Sequence, residues 1–474
     1  MRILRLIVIF LAVALPAFAQ TATPAERELA RSILKQLVEI NTTDSVGNVS
    51  TAARAMQKRF LDAGFPAADL QVIGPDARKL NLLVRYRGTS GASPVLLLCH
   101  LDVVEAVRSD WHTDPFVFTE KDGYWYGRGT LDMKGNDAIA VTDLIRLYRA
   151  GYKPTRDIYL ALTADEEGGK FNGVNWLLKN RPELQHAAFV INPDAGGITL
   201  ENGKATAIQV EATEKIYSDF ELTTVNRGGH SSLPRPDNAI YELTAALDKL
   251  AHYQFPFELN NVTRQSFAAY ARTAEPEVAS DILAILAPTP APAAIERLDK
   301  NPDYNSNLHT TCVATRLSAG HANNALPQRA QAIVNCRILP GHAPEEVRRQ
   351  LLALFNNPGL AIRYISDSGE GFDVAPDRKS IAPPPPIPEV FDPLTAIAGN
   401  IWPGAPVVPV MENGASDSIY AAMYGIPSYG FSAIAITAED ERAHGQDERM
   451  PIDSYWKGLD FYYDFLKAIG TPKK

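Results

Sequence analysis

The stretch Val95-Leu96-Leu97-Leu98-Cys99-His100-Leu101-Asp102 runs from unbroken apolar sequence into an imidazole and a carboxylate. A short run with no polar interruption suits a strand buried on both faces, the kind found in parallel sheets. Two later stretches have the same form: Tyr159-Leu160-Ala161-Leu162-Thr163 leads to Asp165-Glu166-Glu167, and Phe189-Val190-Ile191 leads to Asn192-Pro193-Asp194. Leu80 to Val84 is a further apolar run. Ala140, Leu144, Leu147 and Tyr148 stand at helical spacing and stop at Gly151, so strands alternate with helices. The expected fold class is α/β, with a mostly parallel central sheet covered by helices. Open sheets of this kind place their sites outside the carboxyl ends of the strands, so His100, Asp102, Glu166, Glu167 and Asp194 are expected to converge. Asp132, in Gly127-Arg128-Gly129-Thr130-Leu131-Asp132-Met133-Lys134-Gly135, joins them just before the helix.

The first twenty residues read apart from the rest. Arg2 and Arg5 precede the apolar run Leu6 to Phe18, and Ala17-Phe18-Ala19 has the small-x-small form of a cleavage site. Residues 1–19 are read as a signal peptide cleaved after Ala19, which makes the mature protein secreted or periplasmic. The alternative, a membrane anchor, needs ~20 apolar residues, and this run is shorter. Thr23-Pro24-Ala25-Glu26 has the form of a capping box that opens a helix, with Leu29, Ile33, Leu37 and Ile40 on one face. After about residue 214 the texture changes to alternating segments, Phe220 to Val225 and Thr311 to Leu317, around a long helical and Pro-broken stretch. Alternation favours an antiparallel sheet with one packed face. Pro383 to Pro386 reads as a stiff connector. The expected organisation is a catalytic domain of residues 20–214 and 368–474, split by an inserted α+β domain at 215–367.

The 474 residues carry 46 Lys plus Arg against 55 Asp plus Glu, a formal net charge of −9, with 46% hydrophobic residues. This is a globular composition, and without a Lys/Arg-dense block it argues against nucleic acid as a partner. No stable membrane anchor is expected either. Cys99, Cys312 and Cys336 are too few for a disulfide framework, and the sequence leaves open whether Cys312 and Cys336 pair.

Taken singly, each acidic or histidine segment has an ordinary structural reading. His-x-Asp can be a satisfied core histidine, Asp-Glu-Glu a solvated turn, Asp132 a helix cap paired with Lys134, and Asp194 a turn residue. Their joint placement at strand ends favours a bound cation, because crowded carboxylates repel one another without one. Mixed imidazole and carboxylate ligands suit zinc, with cobalt or manganese as substitutes.

The order His-x-Asp, Gly-Arg-Gly-x-x-Asp-x-Lys-Gly, Glu-Glu, then Asp before glycines resembles the di-zinc exopeptidase family of glutamate carboxypeptidase, aminoacylase, succinyl-diaminopimelate desuccinylase and carnosinase. Gly228-Gly229-His230-Ser231-Ser232 and Ala443-His444-Gly445 extend the resemblance over essentially the whole mature chain. It implies two zinc ions per subunit bridged by Asp132, with His100 and Asp194 completing one and Glu167 and His444 the other. It makes Glu166 the general base and the insertion a lid that joins two subunits into a homodimer. His230 matches a lid histidine that reaches the other subunit's active site. Asn324 and Arg337 match positions that hold the substrate's carboxylate end; read plainly, they are a turn asparagine and a surface arginine. One departure is that Gly414-Ala415-Ser416-Asp417-Ser418 is followed by Ile419, where many relatives carry arginine.

Two zinc ions lower the pKa of a shared water towards neutrality, while Glu166 accepts its proton and the hydroxide attacks an amide carbonyl. His230 and the metal would stabilise the oxyanion, a role worth about 3 kcal/mol per well-placed donor. Asp102, two residues beyond His100, is placed to accept the ring's other N–H and fix its tautomer. The planar fork of Arg337 suits a free carboxylate. The expected activity is hydrolysis of a dipeptide or of a C-terminal residue with a free carboxylate. The alternative is deacylation of an N-acyl amino acid, and a third reading is a non-catalytic metal- or solute-binding protein.

Overall fold

The computed structural model describes residues 21–366, 369–375, 383 and 385–472. The expected signal peptide at 1–19 lies outside the described residues, as does Pro384 of the expected connector. Thr23 caps the helix Pro24–Glu39 through a complete capping box, and its buried face of Ile33, Leu34 and Leu37 packs against the helix Lys134–Arg149.

The apolar runs form the strands Asn81–Tyr86, Val95–His100, Ile158–Thr163 and Phe189–Asn192. Strand 95–100 lies between 158–163 and 189–192 and runs parallel to both, with His100 opposite Thr163. The central sheet has ten strands, in the order 70–73, 81–86, 158–163, 95–100, 189–192, 428–430, 204–214, 197–201, 435–436, with 407–412 beside 204–214. Parallel pairs hold its middle and antiparallel pairs flank them. Side-chain alternation divides these strands between two cores. Leu97, Cys99, Leu160 and Leu162 pack towards the helices 24–39, 134–149 and Ile452–Gly470, whereas Leu96, Leu98, Tyr159 and Ala161 pack with Leu177 and Ala421 on the opposite face. Both faces are dry, which is why the sequence runs are apolar without a period.

A second, five-stranded sheet is antiparallel throughout, in the order Thr311–Ala319, Arg329–Ile338, Ile216–Val225, Leu360–Ile365, Gly371–Phe372. Phe220, Leu222, Val334 and Tyr364 share one face with the helices Ala239–Ala251 and Pro344–Phe355. Cys312 stands opposite Cys336 across two strands, and the two are joined by a disulfide.

The stretch 215–367 does not pack around one core. Its Pro-broken part forms the helices Asn261–Tyr270, Pro276–Leu286, Pro292–Leu298 and Pro302–Leu308, the last three opening on proline, whose missing N–H costs nothing there. These helices share a core of Phe267, Ile282, Ile285 and Leu298. The first lies along the central-sheet strand Val407–Glu412, where the Ser266 hydroxyl donates to the Pro409 carbonyl at 2.6 Å. Among the described residues, no helix is long and apolar enough to cross a membrane.

Candidate metal centre

Because strands 95–100, 158–163 and 189–192 are adjacent and parallel, the residues that follow them emerge at one edge. His100 Nε2 lies 3.1 Å from Asp132 Oδ1 and 3.4 Å from Asp194 Oδ1. His444 Nε2 lies 3.0 Å from Asp132 Oδ2 and 2.9 Å from a Glu167 oxygen. Asp132 therefore turns one oxygen to each imidazole. Ligand atoms of His100, Asp132 and Glu167 fall within 4.8 Å of one another, as do those of His100, Glu166 and Asp194. Nitrogen and carboxylate donors in this number fit borderline dications, which His100, Asp132, Glu167, Asp194 and His444 would hold.

The local supports differ in part from expectation. The ring N–H at His100 Nδ1 faces the backbone carbonyl of Asp102 at 3.1 Å, while the Asp102 carboxylate stands 3.9 Å away. The tautomer role thus falls to the main chain, correcting the side-chain role expected of Asp102. Its carboxylate accepts instead from the backbone N–H groups of Glu166 and Glu167, at 3.2 and 3.0 Å. Asp165 secures the same turn by pairing with the buried Lys79 and accepting the Phe171 N–H at 3.0 Å. Asp194 donates its N–H to Asn192, whose side-chain amide donates to Ser416 and Ser418.

Glu448 is a supporting residue that the sequence did not reveal. It is fully buried, and one oxygen accepts from Arg128 Nη1 at 2.7 Å and Gly129 N at 3.0 Å. The other accepts from Leu131 N at 2.7 Å and Asp132 N at 3.1 Å. These bonds shape the loop that presents Asp132. Gly129 has φ +89°, and a Cβ there would stand 2.8 Å from the Lys134 side chain, so the loop requires glycine. Lys134 donates to the Ile40 carbonyl at 3.0 Å, which disposes of the reading of Asp132 as a cap paired with Lys134.

Burial alone would lower the His100 imidazole, but Asp194 and Asp132 hold it well above the usual histidine range. Hydrogen bonds to Asp132 and Glu167 raise His444 to about 10. Burial pushes the Glu166 carboxyl well above the usual carboxylate range against the pull of His100, and repulsion from Asp194, Asp417 and Glu167 adds to the rise. The same carboxylates that raise both imidazoles are the donors a dication would use, and a dication bound there would take the place of any imidazole protons.

His230 and Asn324 come together. Gly229–His230 pairs with Ala325–Leu326, and the Asn324 carbonyl accepts the Ser231 N–H at 3.1 Å. His230 is exposed, and its Nδ1 meets the Ser232 hydroxyl at 2.7 Å. Arg337 lies on the five-stranded sheet with its guanidinium 4.7 Å from the Tyr217 ring centre. Among the described residues, no hydrogen bond or ion pair joins these three side chains to the cluster.

Residues 96–468 match the family described as Peptidase family M20/M25/M40. The chain belongs to this family. It is 28% identical over 385 residues to the N-fatty-acyl-amino acid synthase/hydrolase PM20D1 of Xenopus tropicalis, covering 80% of this chain and 73% of that protein. It is 29% identical over 403 residues to the probable carboxypeptidase S-like 2 of Dictyostelium discoideum, covering 82% and 75%. The M20 metallo-carboxypeptidase Sso-CP2 of Sulfolobus solfataricus has the same fold, with a TM-score of 0.69 at 17% identity over 93% of this chain and 99% of that one. The M20 relatives thus include both peptidases and N-acyl-amino-acid hydrolases.

Proposed function

We propose that this M20 protein is an exported di-zinc exopeptidase, cleaving the amide bond of a dipeptide or of a C-terminal residue with a free carboxylate. The reading is carried by one observation: His100, Asp194, Glu167 and His444 gather around the two oxygens of Asp132, with Glu166 beside them. Zinc ions held by these residues would supply a water of near-neutral pKa and polarise the scissile carbonyl. A buried carboxyl with a raised pKa, as at Glu166, suits a group that takes the water's proton and returns it to the leaving amine. Asp102 holds the Glu166 turn through its two backbone bonds. Arg337 Nη1 is buried without a hydrogen-bond partner among the described residues, which supports its reading as a carboxylate fork. Residues 20–214 and 368–474 are read as the catalytic unit and 215–367 as the lid through which a homodimer forms. In that dimer His230 serves the other subunit's site, beside Asn324. Cobalt or manganese would serve as substitute metals.

The second reading, an N-acyl-amino-acid hydrolase, is favoured by the relative from Xenopus. In both readings an amino acid with a free carboxylate leaves. The test compares kcat/KM of the zinc-loaded protein on dipeptides and N-acyl amino acids sharing one leaving residue. Faster dipeptide turnover is expected, and the reverse order selects the second reading. Glu166→Gln is expected to lose about 10²–10⁴-fold in kcat at unchanged metal content. A full rate in that variant defeats the mechanism.

A further inference from the structure

Lys79 stands in the stretch between the strands Leu70–Ile73 and Asn81–Tyr86, far in sequence from every metal-ligand candidate, yet it is only 6% exposed. A lysine is rarely buried without a partner. Its ammonium meets two carboxylates: the buried Asp165, and the exposed Asp44 at 2.7 Å. Burial alone would lower the Lys79 ammonium, but its bonds to Asp165 and Asp44 hold it above the usual lysine range. Among the described residues, Lys79 is the one cation paired with Asp165.

Asp165 immediately precedes Glu166, and its backbone sits in the left-handed region at φ +59°, which a residue with a Cβ adopts at a cost and keeps only when its surroundings hold it there. Its carboxylate lies inside its own turn. Oδ1 meets Lys79, Oδ2 accepts the Phe171 N–H at 3.0 Å, and the group leaves no room for a Cβ on Gly169. At the far end Asn172 caps the helix Gly173–Asn180, and its amide donates to the Asp165 carbonyl at 3.2 Å and to Asp417 at 2.6 Å. Residues 165–172 are thus wrapped around one buried carboxylate whose charge Lys79 balances. Without that cation the carboxylate is buried unpaired, and the turn around it must rearrange.

We infer that Lys79 is a positioning residue for the proposed hydrolysis: by clamping Asp165 it holds the left-handed turn that sets the Glu166 carboxyl beside His100 and Asp194. The inference rests on Glu166 acting as the base in the proposed function. Its test compares Lys79→Met with the double variant Lys79→Met/Asp165→Asn, which buries no lone charge and keeps a residue that tolerates the left-handed region. In the zinc-loaded protein, Lys79→Met is expected to lose about 10–100-fold in kcat with KM within about threefold and zinc content unchanged. Hydrogen exchange read by mass spectrometry should rise at least about tenfold in residues 165–172, which hold the bonded N–H groups of Glu166, Glu167 and Phe171, and stay unchanged in strand 158–163. The double variant is expected to regain the wild-type urea midpoint while kcat stays low and the turn exchanges fast. Asp44→Asn, which removes only the exposed partner, should keep kcat within about twofold. If Lys79→Met does not fold, the double variant carries the test alone. Wild-type kcat and turn exchange in Lys79→Met, or both returning with stability in the double variant, overturn the clamp. Absence of turnover by the wild-type protein on every amide counts instead against the proposed function, and the exchange rates still test the clamp.

Discussion

Glu448 ties the Asp132 loop to the segment around His444, accepting four hydrogen bonds while fully buried. Removing it leaves Arg128 buried without its carboxylate, and breaking such a pair costs about 3–5 kcal/mol. Glu448→Ala is expected to lose that much in urea denaturation. In chelator competition, its metal affinity is expected to fall about 10–100-fold, as when an outer partner of a ligand is lost. Nothing in the sequence marks this residue: it sits in the charged turn Gln446-Asp447-Glu448-Arg449, and Arg128 is 320 positions away. His100, Glu166, Glu167 and Asp194 were legible for the opposite reason, since each follows an apolar run that announces a strand end. The Asp102 role was half legible, because a spacing of two brings the residue back to the imidazole but does not tell its carbonyl from its carboxylate. Asp102→Asn keeps that carbonyl and halves the carboxylate's capacity for the Glu166 turn. The expected outcome is normal metal stoichiometry by elemental analysis with kcat lowered about 10–100-fold, the reach of a misplaced catalytic group.

Among the elements, the doubly buried strands were readable one by one, since apolar runs without a period have few other uses in a chain with charged helices. The capping box at Thr23 and the alternation in 220–225 and 311–317 were equally local signals. What the sequence did not show is that helix 261–270 docks on strand 407–412, a contact between elements far apart in the chain. In the five-stranded sheet, two features make testable demands. The Cys312–Cys336 bridge closes a loop of 24 residues, and its replacement by alanines is expected to cost about 2–4 kcal/mol in denaturation under oxidising conditions. At the start of helix 344–355, Arg348 first and then the Ala375 N–H and Arg349 hold the Glu345 carboxyl down at about 2, below its unfolded value of 4.5. A depressed carboxylate pKa stabilises the folded state above the unfolded pKa, and that contribution fades as pH falls towards the folded one. The stability gap between wild type and Glu345→Gln should therefore be constant above about pH 5 and close between pH 4.5 and 2, followed by urea midpoints across pH.

At the scale of the whole molecule, no hydrogen bond or ion pair among the described residues joins His230 to the cluster of its own chain. Strand 311–319 is an edge of the five-stranded sheet, and Val313 and Leu317 on it are 58% and 62% exposed. An edge this long and apolar invites pairing with another chain. Under the proposed homodimer, His230 of one subunit completes the site of the other, and a twofold axis makes the exchange reciprocal. This arrangement predicts complementation. Co-expressed His230→Ala and Glu166→Ala subunits, purified as a heterodimer with two tags, contain one site with both groups intact and one with neither. Such a heterodimer should regain about half of the wild-type kcat per dimer, while each homodimeric variant stays inactive. If His230 served its own chain, each site of the heterodimer would lack one group and no activity would return. Leu317→Lys should weaken the dimer in light scattering and, by the same geometry, lower the activity of otherwise unaltered sites in step with the fraction of monomer. Monomers with full activity would show that the chain completes its site alone.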